Sequence, residues 1–383
     1  MKNPDSANVA ILFPAAGRTA RLNEINTGTA PAEFFYGAFG LDIPQHKVIY
    51  GDTRRDPTGP LARVSVAFTR GRNAFMNFGL AKPRVEALKE TIDASVAAFS
   101  FTDAYSISLG YYRNLLRGNT TIVGGFHGLC DMVNEVRPFF QGHARRVVQR
   151  GVAGLDIAFF FGPADLEEAV SRFDLQPERA FLFPFGVDTD FWSPATGEES
   201  GKPIVFAAGS DPKRDFKTLL EASFPAKTRI LTRLRLPSSA NRPDVEVVRG
   251  SYHNAAITDS VLRELYRTSH VVAIPVRDVF QPSGYSVALQ AMACGKPIVL
   301  TKFKGLWDPD KFRHGENCML VEPGSPDAIS AAVKDLFDNP ELREKIGHEA
   351  RHTALRSFSL ARMNDGLENL IETSLRLGQR RAA

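Results

Sequence analysis

Short runs that are apolar throughout, each followed by a helical pattern, govern what this chain can build. Val-Ala-Ile-Leu-Phe at 9–13 is one such run, ended by Pro14 and followed by small residues through Gly17. Others lie at 48–50, 95–99, 121–123, 157–161 and 181–183. The last two flank a helical face made of Leu166, Ala169, Val170 and Phe173. A strand with one wet face alternates apolar and polar residues. These runs do not alternate, so both faces of their sheet must be covered. Strand-then-helix repetition of this kind builds a parallel α/β sheet.

The pattern lapses at 193–203, which holds proline, glycine and charge but no apolar period, and reads as a linker. Strand runs then resume at 204–208, 230–231, 245–248, 271–274 and 298–300. Phe216, Leu219 and Leu220 belong to the helix after the first of them. Ser325-Pro326 starts a helix with proline at its first position, and Asn339-Pro340 starts another. Ile329, Val333, Leu336 and Phe337 mark the buried face of the first. Leu360, Met363, Leu367, Leu370, Ile371 and Leu375 make the tail one long amphipathic helix. A chain of 383 residues is long for one core. The expectation is two similar α/β domains facing a cleft, where ligands bind at the carboxyl ends of the strands.

Composition narrows the class. Hydrophobic residues make up 43% and charged residues 23%, as in soluble proteins. The formal charge of +4 suits anionic substrates but does not argue for nucleic acid. Cys130, Cys294 and Cys318 lack metal-ligand spacing, which favours a reduced, cytoplasmic setting. No opening run has signal-peptide length, and no apolar run approaches a membrane span.

The segment 281–300 reads as loop, helix, stop and strand. Ser283-Gly284 supplies a turn and a helix start, and Gly295 fits the stop. Backbone N–H groups at 283–286 would then face a ligand with the positive end of a helix dipole behind them. That is a phosphate site. A second candidate is Gly-Ser-Asp-Pro-Lys-Arg-Asp at 209–215, a strand-to-helix turn carrying two cations. It is no dinucleotide fingerprint, because no Gly-x-Gly-x-x-Gly follows any strand.

These pieces, with Leu265-Tyr266, Gly-Glu-Asn at 315–317 and Phe-Pro-Phe-Gly-Val-Asp at 183–188, resemble glycosyltransferase family 4, the retaining GT-B enzymes known as glycosyl transferases group 1. The likeness is strong in order and spacing after residue 180 and thin before 120. It implies an α/β fold of two Rossmann-like domains facing a central cleft (GT-B), with the carboxyl-terminal helix crossing back to the first domain. The domains would be 1–193 on the acceptor side, 194–356 for the nucleotide sugar, and 357–383 for that helix.

The resemblance also implies roles. Arg214, with Lys213 beside it, matches the cation that holds the donor diphosphate, near Gly209. Ser210 replaces the family's first cation. Ser283, Gly284, Tyr285 and Ser286 line the diphosphate. The family's two glutamates are here Pro282 and Gln290. Gln290 either bonds a ribose hydroxyl or is a helix-surface amide, and Gln281 is a candidate sugar contact. His127, in the Gly-rich run 124–128, matches a histidine near the transferred sugar, or else caps its turn. Asp103, Gly28 and Thr29 are acceptor-side candidates. The loops holding Arg233, Arg235 and residues 251–254 are candidates for base recognition.

Two acid-free stretches, 57–85 and 136–155, interleave arginines with aromatic residues. They suit an anionic lipid surface or a phosphorylated acceptor, or are ordinary solvated basic faces. The function expected from the resemblance is metal-independent, retaining transfer of a sugar from a nucleoside diphosphate sugar, UDP-sugar favoured, to an acceptor hydroxyl. The acceptor would be lipid-linked or anionic. No cofactor, metal or nucleic acid is expected, and the setting is cytoplasmic with peripheral contact at the inner membrane face. Two alternatives stay open: a sugar-nucleotide-binding partner protein without transfer activity, and a GT-B epimerase or phosphorylase.

Overall fold

Each apolar run becomes a strand of one of two separate parallel sheets, but only the inner strands are covered on both faces. The runs at 48–50, 181–183 and 245–248 form edge strands that are partly exposed, Leu182 by 56%, because an edge strand lacks a neighbour on one side. The computed structural model describes residues 7–14, 18–53, 73–196, 202–250 and 257–382, with the isolated positions 64, 67 and 71. Gly17, the core of the linker at 197–201, the base-side residues 251–254, and Arg63, Phe68, Arg70 and Arg72 of the acid-free stretch 57–85 lie outside the described residues.

The chain divides into two compact units. The first holds Met1–Leu22, Phe34–Pro184 and Asn364–Ala383. The second holds Asn23–Glu33 and Phe185–Met363. Three features differ from the boundaries expected at 193 and 356, the return to the first unit coming after Met363. The division falls at 184, and a short piece from between the first two strands goes with the second unit.

In the first unit, β1 (Ala7–Pro14), β2 (His46–Thr53), β3 (Ser95–Ser100), β4 (Thr121–Phe126), β5 (Ile157–Phe160) and β6 (Ala180–Leu182) lie in the order β2-β1-β3-β4-β5-β6. All pair in parallel. Val9, Ile11, Phe99, Val123 and Phe159 are wholly buried, as uniform apolar runs require. Helices Asp103–Tyr111 and Gln141–Ala153 meet at glycines. A Cβ on Gly110 would stand 1.8 Å from the carbonyl oxygen of Gly151, so no side chain fits there. Most of the last helix, Leu360–Ala382, belongs to this unit. Thr121 Oγ1 donates to Ser374 O at 3.3 Å, and Arg381 pairs with Asp156 at 2.7 Å.

In the second unit, β7 (Ile204–Ala208), β8 (Lys227–Thr232), β9 (Val245–Arg249), β10 (Val271–Ile274), β11 (Ile298–Thr301) and β12 (Met319–Val321) lie in the order β12-β11-β10-β7-β8-β9. The chain builds outward from β7 to β9, then restarts at β10 on the other side of β7. Loops leaving β7 and β10 therefore part in opposite directions and open a crevice at their carboxyl ends. The helix Pro326–Asp338 begins as its sequence dictates: Ser325 accepts from Ala328 N at 3.2 Å, with Pro326 first. Asn339 accepts likewise from Leu342 N at 3.0 Å.

Candidate donor phosphate site

The crevice of the second unit is built from the two loops that the sequence singled out. Residues 211–215, after β7, lie antiparallel to 275–277, after β10. Arg214 bridges Val276, Asp215 N donates to Pro275 O at 2.9 Å, and Arg277 N donates to Lys213 O at 3.0 Å. Asp211 organises the turn. Its Oδ1 accepts from Lys213 N at 3.0 Å, and its Oδ2 accepts from Gln281 Nε2 at 2.9 Å.

Arg214 occupies the middle of this construction and is only 5% exposed. Its Nη2 donates to Ala208 O, the last residue of β7, at 2.7 Å. Its Nε and Nη1 are buried and have no hydrogen-bond partner among the described residues. Burial lowers its pKa to about 10, against the raising effect of Asp211, so it stays cationic at neutral pH. Two glycines make room for it. A Cβ on Gly209 would stand 2.9 Å from Arg214 Nε, and one on Gly284 would stand 2.1 Å from Nη1. Both glycines have positive φ, +141° and +83°.

Gly284 caps the helix Tyr285–Ala293. The amides of the first turn have no intrahelical acceptor and carry the positive end of the helix dipole. The guanidinium of Arg214 thus lies against this helix start. Ser283 Oγ is also buried without a partner among the described residues. Burying unpaired donors costs about 1–3 kcal/mol each, more for a charged group. A cation, a hydroxyl and a helix start left this way in one crevice match an anion with several oxygens.

Other candidates are distributed differently. Ser283 N already donates to Gln281 O at 2.6 Å, so of the amides at 283–286 it is committed inside the turn. Ser210 Oγ accepts from Arg233 N at 3.0 Å and fastens the turn after β8. Lys213 is buried beside Arg214. Tyr285 packs edge-on against Phe185 at 4.1 Å between ring centroids. Gln290 is neither on the helix surface nor open to a ligand through its amide. Its Oε1 accepts from Tyr266 Oη, and its Nε2 donates to Glu33 Oε1, both at 3.1 Å. Gly28 and Thr29 fall in the second unit, not on the first-domain face expected of them. Gly28 takes φ +70° in a turn, and Thr29 Oγ1 donates to Glu24 O at 3.0 Å.

In the first unit, His127 and Asp103 come together at the carboxyl ends of β3 and β4. Asp103 Oδ1 accepts from His127 N at 3.1 Å and from Gly128 N at 2.9 Å. His127 Nε2 lies 2.9 Å from Phe101 O. A carbonyl only accepts, so that nitrogen carries the proton. The ring stacks on Phe161 at 4.2 Å and 7°. Asp103 therefore positions the histidine loop. Glu33, Asp211 and Tyr266 are the polar groups that sequence reading passed over as site residues. Asp211 shows as an Asp-Pro turn starter between Gly209 and the cations, Tyr266 only as part of the Leu265-Tyr266 piece of the resemblance, and Glu33 only as the start of the low-specificity run 33–36.

Residues 255–353 match the family described as glycosyl transferases group 1. The chain is 26% identical over 208 residues to an MMP α-(1→4)-mannosyltransferase of Mycolicibacterium hassiacum, covering 51% of this chain and 49% of that one. It is 27% identical over 263 residues to a D-inositol 3-phosphate glycosyltransferase of Corynebacterium glutamicum, covering 61% and 62%. The chain thus spans less than two thirds of the length of these relatives. Among solved structures, Anabaena HepE in complex with UDP and glucose superposes with a TM-score of 0.67 at 12% identity, covering 96% of this chain and 99% of that one. Sucrose-phosphate synthase from Thermosynechococcus elongatus gives 0.65 at 15%, covering 96% and 98%. The chain thus resembles the glycosyl transferases group 1 over residues 255–353, and its two-sheet α/β fold is that of the GT-B glycosyltransferases.

Proposed function

We propose that the protein transfers a sugar from a nucleoside diphosphate sugar to an acceptor hydroxyl, with retention at the anomeric carbon and without metal or other cofactor. One observation carries this reading: the buried, unpartnered Nε and Nη1 of Arg214 lie against the helix start at Gly284, beside the unpartnered Ser283 hydroxyl. In the transition state the bond from the anomeric carbon to the diphosphate oxygen lengthens, and negative charge grows on that oxygen. Fixed donors of this kind stabilise the growing charge without having to reorganise. The leaving diphosphate takes the acceptor's proton as the new glycosidic bond forms on the same face. Arg214 and Lys213 supply the charge, while His127 serves the sugar and acceptor side, held in place by Asp103.

The donor proposed is a UDP-sugar. Support comes from solved proteins of the same fold that hold UDP or UDP-glucose. A melting-temperature screen against UDP, GDP, ADP and their sugars tests this. A ligand at 100 times its dissociation constant adds about 2.7 kcal/mol of stability. Stabilisation by UDP with sugar transfer to an acceptor supports the reading. Stabilisation without transfer or hydrolysis favours a binding protein. Conversion of the donor with no acceptor present favours an epimerase.

A lipid-linked acceptor is proposed from the surface of the first unit. The described parts of the two acid-free stretches meet there: Arg137 N donates to Met76 O at 3.3 Å, and the Arg137 guanidinium lies 4.8 Å over the Phe75 ring. Phe139 is 90% exposed and Phe75 58%. Among the described residues no helix is long and apolar enough to cross a membrane. Exposed aromatic rings among arginines suit the headgroup layer of an anionic bilayer. In this reading the protein is cytoplasmic and peripheral at the inner membrane face. Sedimentation with phosphatidylglycerol vesicles, but not with phosphatidylcholine vesicles, is expected. Equal recovery with both, or with neither, overturns it.

A further inference from the structure

Behind the helix start at Gly284 lies a buried polar cluster, entirely within the second unit. Gln290, on the helix Tyr285–Ala293, joins Tyr266 to Glu33. Glu33 Oε1 accepts from Trp192 Nε1 at 2.7 Å as well as from Gln290 Nε2. Its Oε2 accepts from Asp188 N at 3.0 Å. Asp188 Oδ2 in turn accepts from Ala32 N at 3.3 Å. Glu33 is 3% exposed and ends the piece Asn23–Glu33 that the chain contributes from between β1 and β2.

A buried carboxylate is costly unless donors surround it. Glu33 has three N–H donors, and the side-chain amide of Gln290 is one of them. Residue 290 must therefore donate toward Glu33 while accepting from Tyr266, and a glutamine does both. A glutamate there would set two carboxylates at a 3.1 Å contact, and none of the described partners of Glu33 is a cation.

We propose that Glu33 and Gln290 form a matched acid–amide lock that fixes the helix start at Gly284 against Arg214, so that residue 290 is chosen by Glu33 and not by the nucleotide sugar. This rests on reading that helix start as the donor phosphate site. Gln290 is a positioning residue, and the piece Asn23–Glu33 is a structural part of the donor-side unit.

Four proteins test the lock: the wild type, Glu33→Gln, Gln290→Glu, and the double variant. Melting midpoint and the dissociation constant for UDP are measured for each. Each single change lowers the midpoint, Gln290→Glu the more. Adding Glu33→Gln to Gln290→Glu then raises it, because one carboxylate is removed and an amide faces the other. Recovery is partial, since the new amide of residue 33 meets one N–H of Trp192 or Asp188 without accepting from it. UDP binding weakens on the order of tenfold in Gln290→Glu and returns toward wild type in the double variant. Additive losses of midpoint overturn the lock. So does a Gln290→Glu protein that binds UDP more tightly, which would place residue 290 against the nucleotide. If the wild type binds no nucleoside diphosphate, the donor reading fails instead, and the sign of the midpoint change still decides the lock.

Discussion

Gly284→Ala tests the contact between the helix start and the cation with the smallest change available. The new Cβ would lie 2.1 Å from Arg214 Nη1 and 2.6 Å from Ile274 Cγ2. The guanidinium can be displaced, but Ile274 belongs to β10 and is wholly buried. Backbone at φ +83° adds roughly 1–2 kcal/mol for a residue with a Cβ. Overpacking a core contact adds about 1–3 kcal/mol. Together these give a loss of about 2–5 kcal/mol, at about 2–4 °C of melting midpoint per kcal/mol. Differential scanning fluorimetry with and without UDP separates two consequences. The midpoint falls in the apo protein, and the UDP-induced rise shrinks because Arg214 has moved. In an Arg214→Ala background the same glycine change costs less, since one of its two clashes is gone. A Gly284→Ala protein with wild-type midpoint and wild-type UDP response would refute the packing of Arg214 against this helix.

Further outcomes follow from other parts of the molecule. Burial raises the Glu33 carboxyl from 4.5 to about 7, against the lowering pull of Asp188 N–H, Gln290 and Trp192. The folded state then holds a proton that the unfolded chain releases, so stability falls as pH rises from about 4.5 to 7, by up to about 3 kcal/mol. Glu33→Gln should flatten that slope in chemical denaturation at pH 5 and pH 7.5; an unchanged slope would assign the pH dependence elsewhere. Gly110→Val should lower the midpoint through the clash with Gly151 O and leave UDP binding in the second unit intact. His127→Ala should reduce turnover while leaving the UDP dissociation constant within about twofold, because His127 belongs to the first unit.

Much of this architecture was legible because its inner strands are buried on both faces and several helices start with strong caps. Ser325-Pro326 and Asn339-Pro340 dictate local geometry through their own side chains, so no distant residue has to be known. Gly295 takes φ +73° just after the helix Tyr285–Ala293, the conformation a glycine stop requires. β12, Met319–Val321, is an apolar run as short as 298–300, but it goes unread as a strand because it lies inside the piece 315–323, where the Gly-Glu-Asn turn is the stronger signal. The pairing of Arg214 with Gly284 was legible only as two loops of matching chemistry. That the loops lie side by side depends on β7 and β10 being neighbours, which no local pattern encodes. Glu33 was invisible as a lock, since its partner Gln290 is 257 residues away. Ser210 read as a replaced cation because sequence showed its missing charge but not its bond to Arg233 N.

Calorimetric titration of UDP and of uridine into the wild type and Arg214→Ala addresses the phosphate site itself. UDP should bind the wild type and uridine should bind far more weakly. Loss of Arg214 should weaken UDP by about 2–5 kcal/mol, roughly 30-fold to several thousand-fold, the scale for truncating a desolvated charge partner. Equal affinity of UDP for both proteins, with Arg214→Ala folded, would mean that the buried guanidinium serves the fold and holds no diphosphate.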